Sequence, residues 1–298
     1  MRIVTRPDMD GLVCAVILLE AETIDAPILW IEPNDIQNRR ADIREGDILA
    51  NLPYDPRCSM WFDHHYTNRI DTPFEGAFRI APSAAGIVYD YYRDRLERSY
   101  DELIVETDRI DAADLTREQV LTPERFPYIH LSMTIKNRDA SDETYWNLLV
   151  NLLRKSPITS VMSHPEVIRR CEAVVRENTA YVDILRDHTV QDEGVTLTDL
   201  RPFGSTPPNG NRFLVYSLYP DAYASIKVRL DHKDTRRIIL SVGHSIFNTT
   251  CRVNVGEMLS GFNGGGHFGA GACTFPMDLA DQNIPEIIRI LKANQPAK

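Results

Sequence analysis

The sequence predicts an α/β protein: an N-terminal domain with a mainly parallel sheet flanked by helices, and a smaller C-terminal α/β domain. Three observations support this fold class. Short apolar runs alternate with helical periods in the first third of the chain, a helical stretch follows, and strand-like runs return beyond it. Strands that alternate with helices need crossover connections and therefore pair in parallel. The length of 298 residues favours two domains, or one large one.

The N-terminal elements follow one another in strand–helix order. The predicted strands are Arg2–Thr5, Ala26–Glu32, Asp47–Leu52 and Ser59–Phe62. An apolar helix begins after Gly11, and Ser83 is a favourable N-cap for a helix that starts with AAGIVYDYY. From Pro123 to His188 the pattern is helical, with apolar residues that recur on one face of the longest helix.

The second predicted domain begins after a linker. The polar stretch Asp187–Gly194 is the best linker candidate, which gives predicted domains of residues 1–188 and 195–298. Beyond it, VTLTDL, FLVYSLY, SIKVRL and RIILSV are predicted strands, with a hairpin turn at Pro207–Gly210 between the first two. A helix near Asn254–Ser260, a strand near Ala272–Phe275 and a helix near Ile284–Leu291 complete the domain.

The composition is that of a globular protein with an acidic balance. Lys and Arg number 33 against 43 Asp and Glu, a formal net charge of -10, which disfavours long nucleic acids and membranes as partners because both are anionic. The five cysteines form no C-x-x-C pair, so that neither a disulfide framework nor a structural zinc site is indicated. The longest apolar run, Leu12–Leu19, is too short to span a membrane. We therefore expect a cytoplasmic protein.

Two polar groups directly follow predicted strands. Asp8 and Asp10 lie in the segment DMDG after the first strand, whereas Asp63, His64 and His65 follow the fourth. The carboxyl ends of parallel strands meet at one sheet edge, where ligands bind in open sheets. Carboxylates with an imidazole suit Mn²⁺ or Mg²⁺. The alternative is that Asp10 is a helix N-cap and that the histidines lie in a polar surface loop.

A further group of carboxylates lies on a predicted helix. Asp108, Asp111 and Asp114 are spaced by three residues, which places them roughly on one helical face. Like charges on one face repel unless a cation or solvent separates them. A solvated helix face is the alternative to a metal site.

A glycine-rich segment, GFNGGGHFGAGA from Gly261 to Ala272, has the composition of an anion-binding loop. Consecutive glycines let backbone N–H groups approach an anion closely, and His267 adds a donor. Nearby Arg252 offers the fixed positive charge that phosphate recognition favours. No Gly-Lys-Ser/Thr follows, so that the segment is not a P-loop. The alternative is a glycine-rich turn without a ligand.

Together these segments resemble the DHH phosphoesterase superfamily. The tripeptide DHH at 63–65 matches the namesake motif, and DMDG at 8–11 matches most of the first motif. GGGHFGAGA at 264–272 is similar to the signature of the DHH-associated C-terminal domain. The resemblance covers residues 1–115 and about 195–280, and it is nearest to the exopolyphosphatase-related and oligonucleotide phosphodiesterase members.

The resemblance implies a hydrolase of a small phosphate ester or anhydride, such as a short oligonucleotide, a nucleotide or polyphosphate, in a cleft between the two domains. It implies a two-metal site that usually holds Mn²⁺ (or Mg²⁺); for this chain we expect one or two ions, and a homodimer is possible. The implied metal-binding residues are Asp8, Asp10, Asn51, Asp63, His64 and one of the pair Asp111 and Asp114. The implied catalytic residues are His65 and Arg6, and the implied substrate-binding residues are Arg252, Gly264, Gly265, Gly266 and His267.

Two positions depart from the pattern of this family. Arg6 stands where the first motif normally begins with His, and Asn51 stands where the second motif normally has a metal-bridging Asp. Arginine is not a metal ligand, although its permanent charge can bind a phosphate. The two departures raise an alternative function, a catalytically impaired relative that binds a phosphorylated ligand as a sensor or partner. A Mn²⁺-dependent phosphoesterase is the favoured prediction because the other motif positions are intact.

Overall fold

The protein folds into two compact units in a computed structural model that describes residues 1–136 and 142–296. The first unit contains Met1–Leu115 and Pro123–Glu172, and the second contains Thr116–Thr122 and Ala173–Lys298. The last of the divisions along the chain falls inside the long helix Pro165–His188.

The first unit is built on a five-stranded parallel sheet. Its strands are β1 (Arg2–Thr5), β2 (Leu29–Trp30), β3 (Asp47–Ala50), β4 (Met60–Asp63) and β5 (Gly76–Phe78), in the order β2-β1-β3-β4-β5. All neighbouring pairs run parallel, with Thr5 opposite Ala50 and Ala50 opposite Phe62. This register brings the carboxyl ends of β1, β3 and β4 to one edge of the sheet.

Helices connect and cover the strands. In chain order they are α1 (Met9–Ala21), α2 (Pro33–Gln37), α3 (Ala84–Tyr92), α4 (Asp101–Asp111), α5 (Arg117–Leu121), α6 (Pro127–Met133), α7 (Glu143–Lys155), α8 (Ile158–Met162), α9 (Pro165–His188), α10 (Leu214–Leu218), α11 (Val255–Ser260) and α12 (Ala280–Ala293). α1 is buried from Met9 to Leu18, because β1, α3, α4 and α7 all pack against it. None of these helices, in the part of the chain that the structure describes, is long and apolar enough to cross a membrane.

The sheet of the first unit is buried on both faces. Ile3, Ile48 and Phe62 belong to the main core with α1. Val4, Leu49 and Trp61 point to the opposite face and pack with α2 and the loops around it. Strands covered on both faces have no polar side, which explains why they read in the sequence as nearly continuous apolar runs.

The second unit contains a six-stranded mixed sheet. Its strands are β6 (Thr189–Asp192), β7 (Val195–Asp199), β8 (Ala224–Leu230), β9 (Arg237–His244), β10 (Gly264–His267) and β11 (Ala270–Pro276), in the order β10-β11-β9-β8-β7-β6. Only β7 and β8 pair in parallel among these neighbours. Apolar residues of β8, β9, β11 and α12 form its core. The predicted fold class, a parallel-sheet α/β domain followed by a second α/β domain, is confirmed.

The segment FLVYSLY was predicted as a strand, and this prediction is wrong. It contains the short helix α10, in which Leu214 to Ser217 are all buried. Four consecutive buried residues fit a helical turn surrounded by the core better than a strand with one solvated face, and short apolar runs do not distinguish the two by periodicity. Because β7 and β8 pair in parallel and Leu214–Leu218 is helical, Pro207–Gly210 belongs to a crossover connection and does not form the predicted hairpin turn.

The stretch Asp187–Gly194, predicted as a linker, is regular structure. It includes the end of α9 and the whole of β6, which pairs with β7 in an antiparallel hairpin. Glu193 and Gly194 form the two-residue turn, and both have positive φ, 47° and 79°. Such turns match the twist of the flanking strands and favour small or polar residues. The polar composition of this stretch therefore reflects an exposed hairpin.

Candidate functional site

The candidate site lies at the carboxyl edge of the parallel sheet. Arg6 follows β1, Asn51 follows β3, and Asp63 is the last residue of β4. The register of these strands places the three residues next to one another at this edge. α1 begins just beyond β1, with Asp8 as its N-cap accepting a hydrogen bond from the Gly11 N–H at 2.9 Å. The motifs that follow the first and fourth strands are thus neighbours in the fold.

Asp10 is the most enclosed carboxylate of the site, with 1% of its surface exposed. It lies in the first turn of α1, and its oxygens accept hydrogen bonds from the backbone N–H groups of Ala84 and Ala85, at 2.9 and 2.7 Å. These groups begin α3, so that the helix N-terminus partly compensates the negative charge. Burial and the neighbouring Asp8 nevertheless raise the pKa of the Asp10 carboxyl to about 7. The charge of this carboxylate is therefore only partly compensated.

His64 presents an unpartnered nitrogen to two carboxylates. Its Nδ1 lies 2.9 Å from the carbonyl oxygen of Ala81, which can only accept, so that Nδ1 carries the proton and Nε2 the lone pair. Nε2 is buried without a hydrogen-bond partner among the described residues. It lies 3.7 Å from Asp10 Oδ2 and 3.4 Å from Asp111 Oδ2. A histidine fixed by a carbonyl at one nitrogen is oriented as metal-ligating histidines usually are.

Asp111 completes this group as the last residue of α4. Its side chain is 28% exposed, and burial together with the charges of Asp10 and Asp8 raises the pKa of its carboxyl. Ligand atoms of Asp10, His64 and Asp111 all lie within 4.8 Å of one another. The alternative residue, Asp114, is exposed beyond the end of α4 and does not join them. Between Asp111 and Asp114, geometry places only the first beside His64.

Asp108 shares the helical face of Asp111 but has a different partner. It accepts a hydrogen bond from the hydroxyl of Ser83 at 2.5 Å. Ser83 is the N-cap of α3, and its own oxygen accepts from the Gly86 N–H at 3.0 Å. Asp108 therefore supports the start of the helix that holds Asp10.

Asp63 and His65 form a pair beside this group. Asp63 is fully buried, and its Oδ1 accepts from His65 Nδ1 at 2.8 Å while its Oδ2 accepts from Asn68 Nδ2 at 2.7 Å. The hydrogen bond that His65 donates to Asp63, opposed in part by burial, raises the pKa of the His65 imidazole. Asp63, His64 and His65 also lie close enough to share a cation. With both oxygens of Asp63 engaged, the contacts present make it the residue that orients His65.

Asp8, although only two residues from Asp10, has quite different partners. Its Oδ1 accepts from the Gly11 N–H and from Asn51 Nδ2 at 3.0 Å, and its Oδ2 lies 3.3 Å from a terminal nitrogen of Arg6. Arg6 also donates from Nε to Glu32 Oε2 at 3.2 Å. Glu32 and Asn68 were not predicted from the sequence as site residues. Glu32 follows β2 at the same sheet edge, and this position was the signal that could have identified it.

The glycine segment is a strand pair. Gly264 to His267 form β10, an edge strand paired antiparallel with β11. A Cβ on Gly264 would lie 2.4 Å from the Ala272 carbonyl oxygen, and one on Gly266, where φ is 154°, would lie 2.3 Å from that of Ala270. Both glycines are therefore needed for close approach of the two strands. A Cβ on Gly265 would meet nothing within 4 Å, so that its surface is open to a ligand.

The polar residues around β10 are accessible. His267 and Arg252 are both exposed, and Arg252 lies in the segment that runs into α11. Gly256 of α11 packs directly on β10, since a Cβ there would lie 2.3 Å from the Gly266 carbonyl oxygen. The second unit thus presents an arginine, a histidine and an open glycine backbone.

Comparisons with known proteins identify the class. No family model matches the chain, and no curated protein matches it. Among solved structures, it is similar to the pGpG-specific phosphodiesterase PggH from Vibrio cholerae, with 30% identity, a TM-score of 0.85 and 99% of each chain covered. An exopolyphosphatase-related protein from Bacteroides fragilis shares the fold at 13% identity and a TM-score of 0.55, over 98% of this chain and 92% of that one. RecJ from Thermus thermophilus, solved in complex with Mn²⁺, also shares the fold, at 13% identity and a TM-score of 0.55. The match covers 98% of this chain and 51% of the RecJ chain.

The first unit carries carboxylates and imidazoles at the carboxyl edge of a parallel sheet, and the whole chain is similar to a phosphodiesterase. These two observations define the protein as a phosphoesterase and thus a hydrolase. The chain belongs to the DHH phosphoesterase superfamily. The resemblance inferred from the sequence motifs is confirmed at this level.

Proposed function

We propose that this protein is a metal-dependent phosphodiesterase that hydrolyses short linear oligonucleotides, with pGpG as the first substrate to test. The observation that carries the proposal is the group Asp10, His64 and Asp111, whose imidazole has an unpartnered Nε2 aimed between two carboxylates. The substrate class is supported by the likeness to PggH, which extends over 99% of both chains at 30% identity.

The donor set fits a hard divalent cation such as Mn²⁺ or Mg²⁺. Two carboxylates and one imidazole are ligands that Mn²⁺ accepts, and raised pKa values at Asp10 and Asp111 indicate carboxylates that need a positive charge nearby. We propose that these three residues hold the ion. When bound, the ion would polarise a phosphate oxygen and so favour attack by water on phosphorus.

His65 is placed to transfer a proton. Its Nδ1–H is held by Asp63, which keeps the ring in one orientation and favours its charged form. The imidazole is 31% exposed, so that a substrate can reach it. We propose that His65 donates a proton to the leaving oxygen, the usual role of such a histidine in general acid catalysis.

Arginine and histidine side chains would hold the phosphates. Arg6 has 32% of its side chain exposed at the sheet edge, and Arg252 and His267 are exposed in the second unit. Arginine binds phosphate through directed N–H donors and cannot lose its charge in proteins. We propose that Arg6 acts beside the scissile phosphate and that Arg252, Gly264, Gly265, Gly266 and His267 hold another part of the substrate.

The test is turnover of pGpG with added Mn²⁺, followed by the appearance of GMP. We expect hydrolysis that a chelator abolishes and that Asp10→Asn reduces by at least about 10²-fold, because one ligand charge is lost at the buried ion. Asp114→Asn is the matched control, since Asp114 is exposed outside the group, and it should retain full activity. Absence of turnover, or equal losses in both variants, would contradict the proposal.

A second candidate function is a binding protein that retains the ligand but does not cleave it. The contacts of Asp8 favour it, because Arg6 and Asn51 occupy this carboxylate. Titration calorimetry separates the two functions: pGpG binding with Mn²⁺ but no GMP production over hours would establish the second candidate in place of the first.

A further inference from the structure

Asp8 and Asp10 lie two residues apart but differ in what surrounds them. We infer that this protein holds a single divalent ion, at Asp10, His64 and Asp111, and that the guanidinium of Arg6 permanently occupies the cation position beside Asp8. The inference deepens the proposed function and rests on its metal site.

The oxygens of Asp8 are already engaged. Oδ1 accepts from the Gly11 N–H at 2.9 Å and from Asn51 Nδ2 at 3.0 Å. A carboxylate oxygen has about two acceptor positions in the plane of the group, so that Oδ1 is saturated. Oδ2 lies 3.3 Å from a terminal nitrogen of Arg6. An ion bound to Asp8 would have to displace a donor from Oδ1 or share Oδ2 with the guanidinium of Arg6.

Arg6 cannot leave this position as a neutral group. Its Nε donates to Glu32 at 3.2 Å while its terminal nitrogen faces Asp8, so that it bridges two carboxylates. Because guanidinium stays protonated at any relevant pH, a divalent ion beside Asp8 would lie within a few ångströms of a fixed positive charge. The repulsion is strongest where solvent is partly excluded, and the side chain of Arg6 is about two-thirds covered.

Asn51 supplies no negative charge to a second ion. It has a left-handed backbone, with φ of 57°, and is 1% exposed. Its NH₂ group is fixed by Asp8, which can only accept, and this assigns the amide orientation. The remaining Oδ1 has no hydrogen-bond partner in the described ranges, but a neutral amide oxygen adds no negative charge. The Asp10 group, in contrast, combines two carboxylates with a lone pair.

The test is the number of Mn²⁺ ions per chain, measured by elemental analysis after equilibrium dialysis of the full-length protein. We expect about one ion in the wild type, none in Asp10→Asn, and about two in the double variant Arg6→His, Asn51→Asp, which supplies an imidazole and a carboxylate beside Asp8. Electron paramagnetic resonance gives a second readout, because isolated Mn²⁺ shows resolved hyperfine structure that a neighbouring Mn²⁺ broadens. Arg6→Gln is the matched control; it removes the guanidinium but adds no charged ligand, so that it should stay at about one ion.

Each result supports or overturns a part of the inference. Two ions in the wild type would overturn it, as would a double variant that is folded by circular dichroism and still holds one ion. If the double variant does not fold, the wild-type count and the resonance spectrum decide. No ion in the wild type would instead refute the proposed function itself, and turnover of pGpG with one ion per chain would support both.

Discussion

Alanine substitutions at the three glycines of β10 distinguish the glycines that strand packing requires from a glycine that ligand binding requires. A Cβ on Gly264 or Gly266 would lie 2.4 or 2.3 Å from a carbonyl oxygen of β11, far inside van der Waals contact. A Cβ on Gly265 would meet nothing within 4 Å. Gly265 is therefore the one glycine of this strand whose missing side chain the fold does not explain.

The expected changes in stability have opposite signs. Gly264→Ala and Gly266→Ala force β10 and β11 apart, which as overpacking costs about 1–3 kcal/mol in the free energy of unfolding. At Gly266 the φ of 154° adds backbone strain for any side chain. Gly265→Ala removes chain freedom from the unfolded state and should stabilise by about 0.4–1 kcal/mol. For a unit of this size, 1 kcal/mol corresponds to about 2–4 °C in Tm.

Gly265→Ala, the variant expected to be more stable, is also the one expected to weaken substrate binding. If the open backbone of Gly265 contacts the substrate, a methyl group there excludes it, and we expect KM for pGpG to rise about tenfold, equivalent to about 1.4 kcal/mol. Thermal unfolding and steady-state kinetics on the same preparations measure both effects. An unchanged KM in Gly265→Ala would refute a substrate contact at β10, and a large loss of Tm in this variant would refute the structural argument.

Three further predictions concern the first unit. Mn²⁺ at about 100 times its Kd should stabilise the protein by about 2.7 kcal/mol, seen as a rise in Tm that Asp10→Asn abolishes; an equal rise in the variant would place the ion elsewhere. Asp63→Asn replaces the charged acceptor of His65 with a neutral amide and should lower kcat by about 10²-fold while Mn²⁺ binding persists; loss of the ion would make Asp63 a ligand instead. Ser83→Ala removes the N-cap of α3 and should cost about 1 kcal/mol, measured by urea unfolding; an unchanged midpoint would show that the cap is not needed.

The sequence predicted the fold where local pattern and tertiary structure agree. The strands of the first unit are buried on both faces, so that their apolar runs predicted their type, and their alternation with helices predicted their parallel pairing. The second unit was harder, because Leu214 to Ser217 are buried on all sides and carry no period. Asp187–Gly194 was read as a linker from its polarity, whereas the same polarity belongs to a hairpin whose turn needs positive φ.

The candidate site was predictable as a set of residues but not as a set of contacts. Strand ends bring Asp8, Asp10 and His64 to one edge, and this follows from motif position alone. Contacts with residues far away in the sequence could not be predicted from motif position, such as the hydrogen bonds from the Ala84 and Ala85 N–H groups to Asp10. The predicted ligand roles of Asp63, Asn51 and Asp114 stay predictions, although the contacts of the first two and the exposed position of the third favour other roles.

The energetics of Asp10 and Asp111 give a reason for a cation that does not depend on family resemblance. When a carboxyl group has a higher pKa in the folded state than in the unfolded state, the protein loses stability as pH rises between these two pKa values. The reason is that the native site disfavours the charged form. The pKa values of both carboxyl groups are raised, chiefly by burial and then by nearby carboxylates. The lone pair of His64 Nε2 lies beside them without a hydrogen-bond partner among the described residues. A fold shaped by stability alone would replace such a group with apolar residues. One divalent ion would offset the burial cost and the repulsion together.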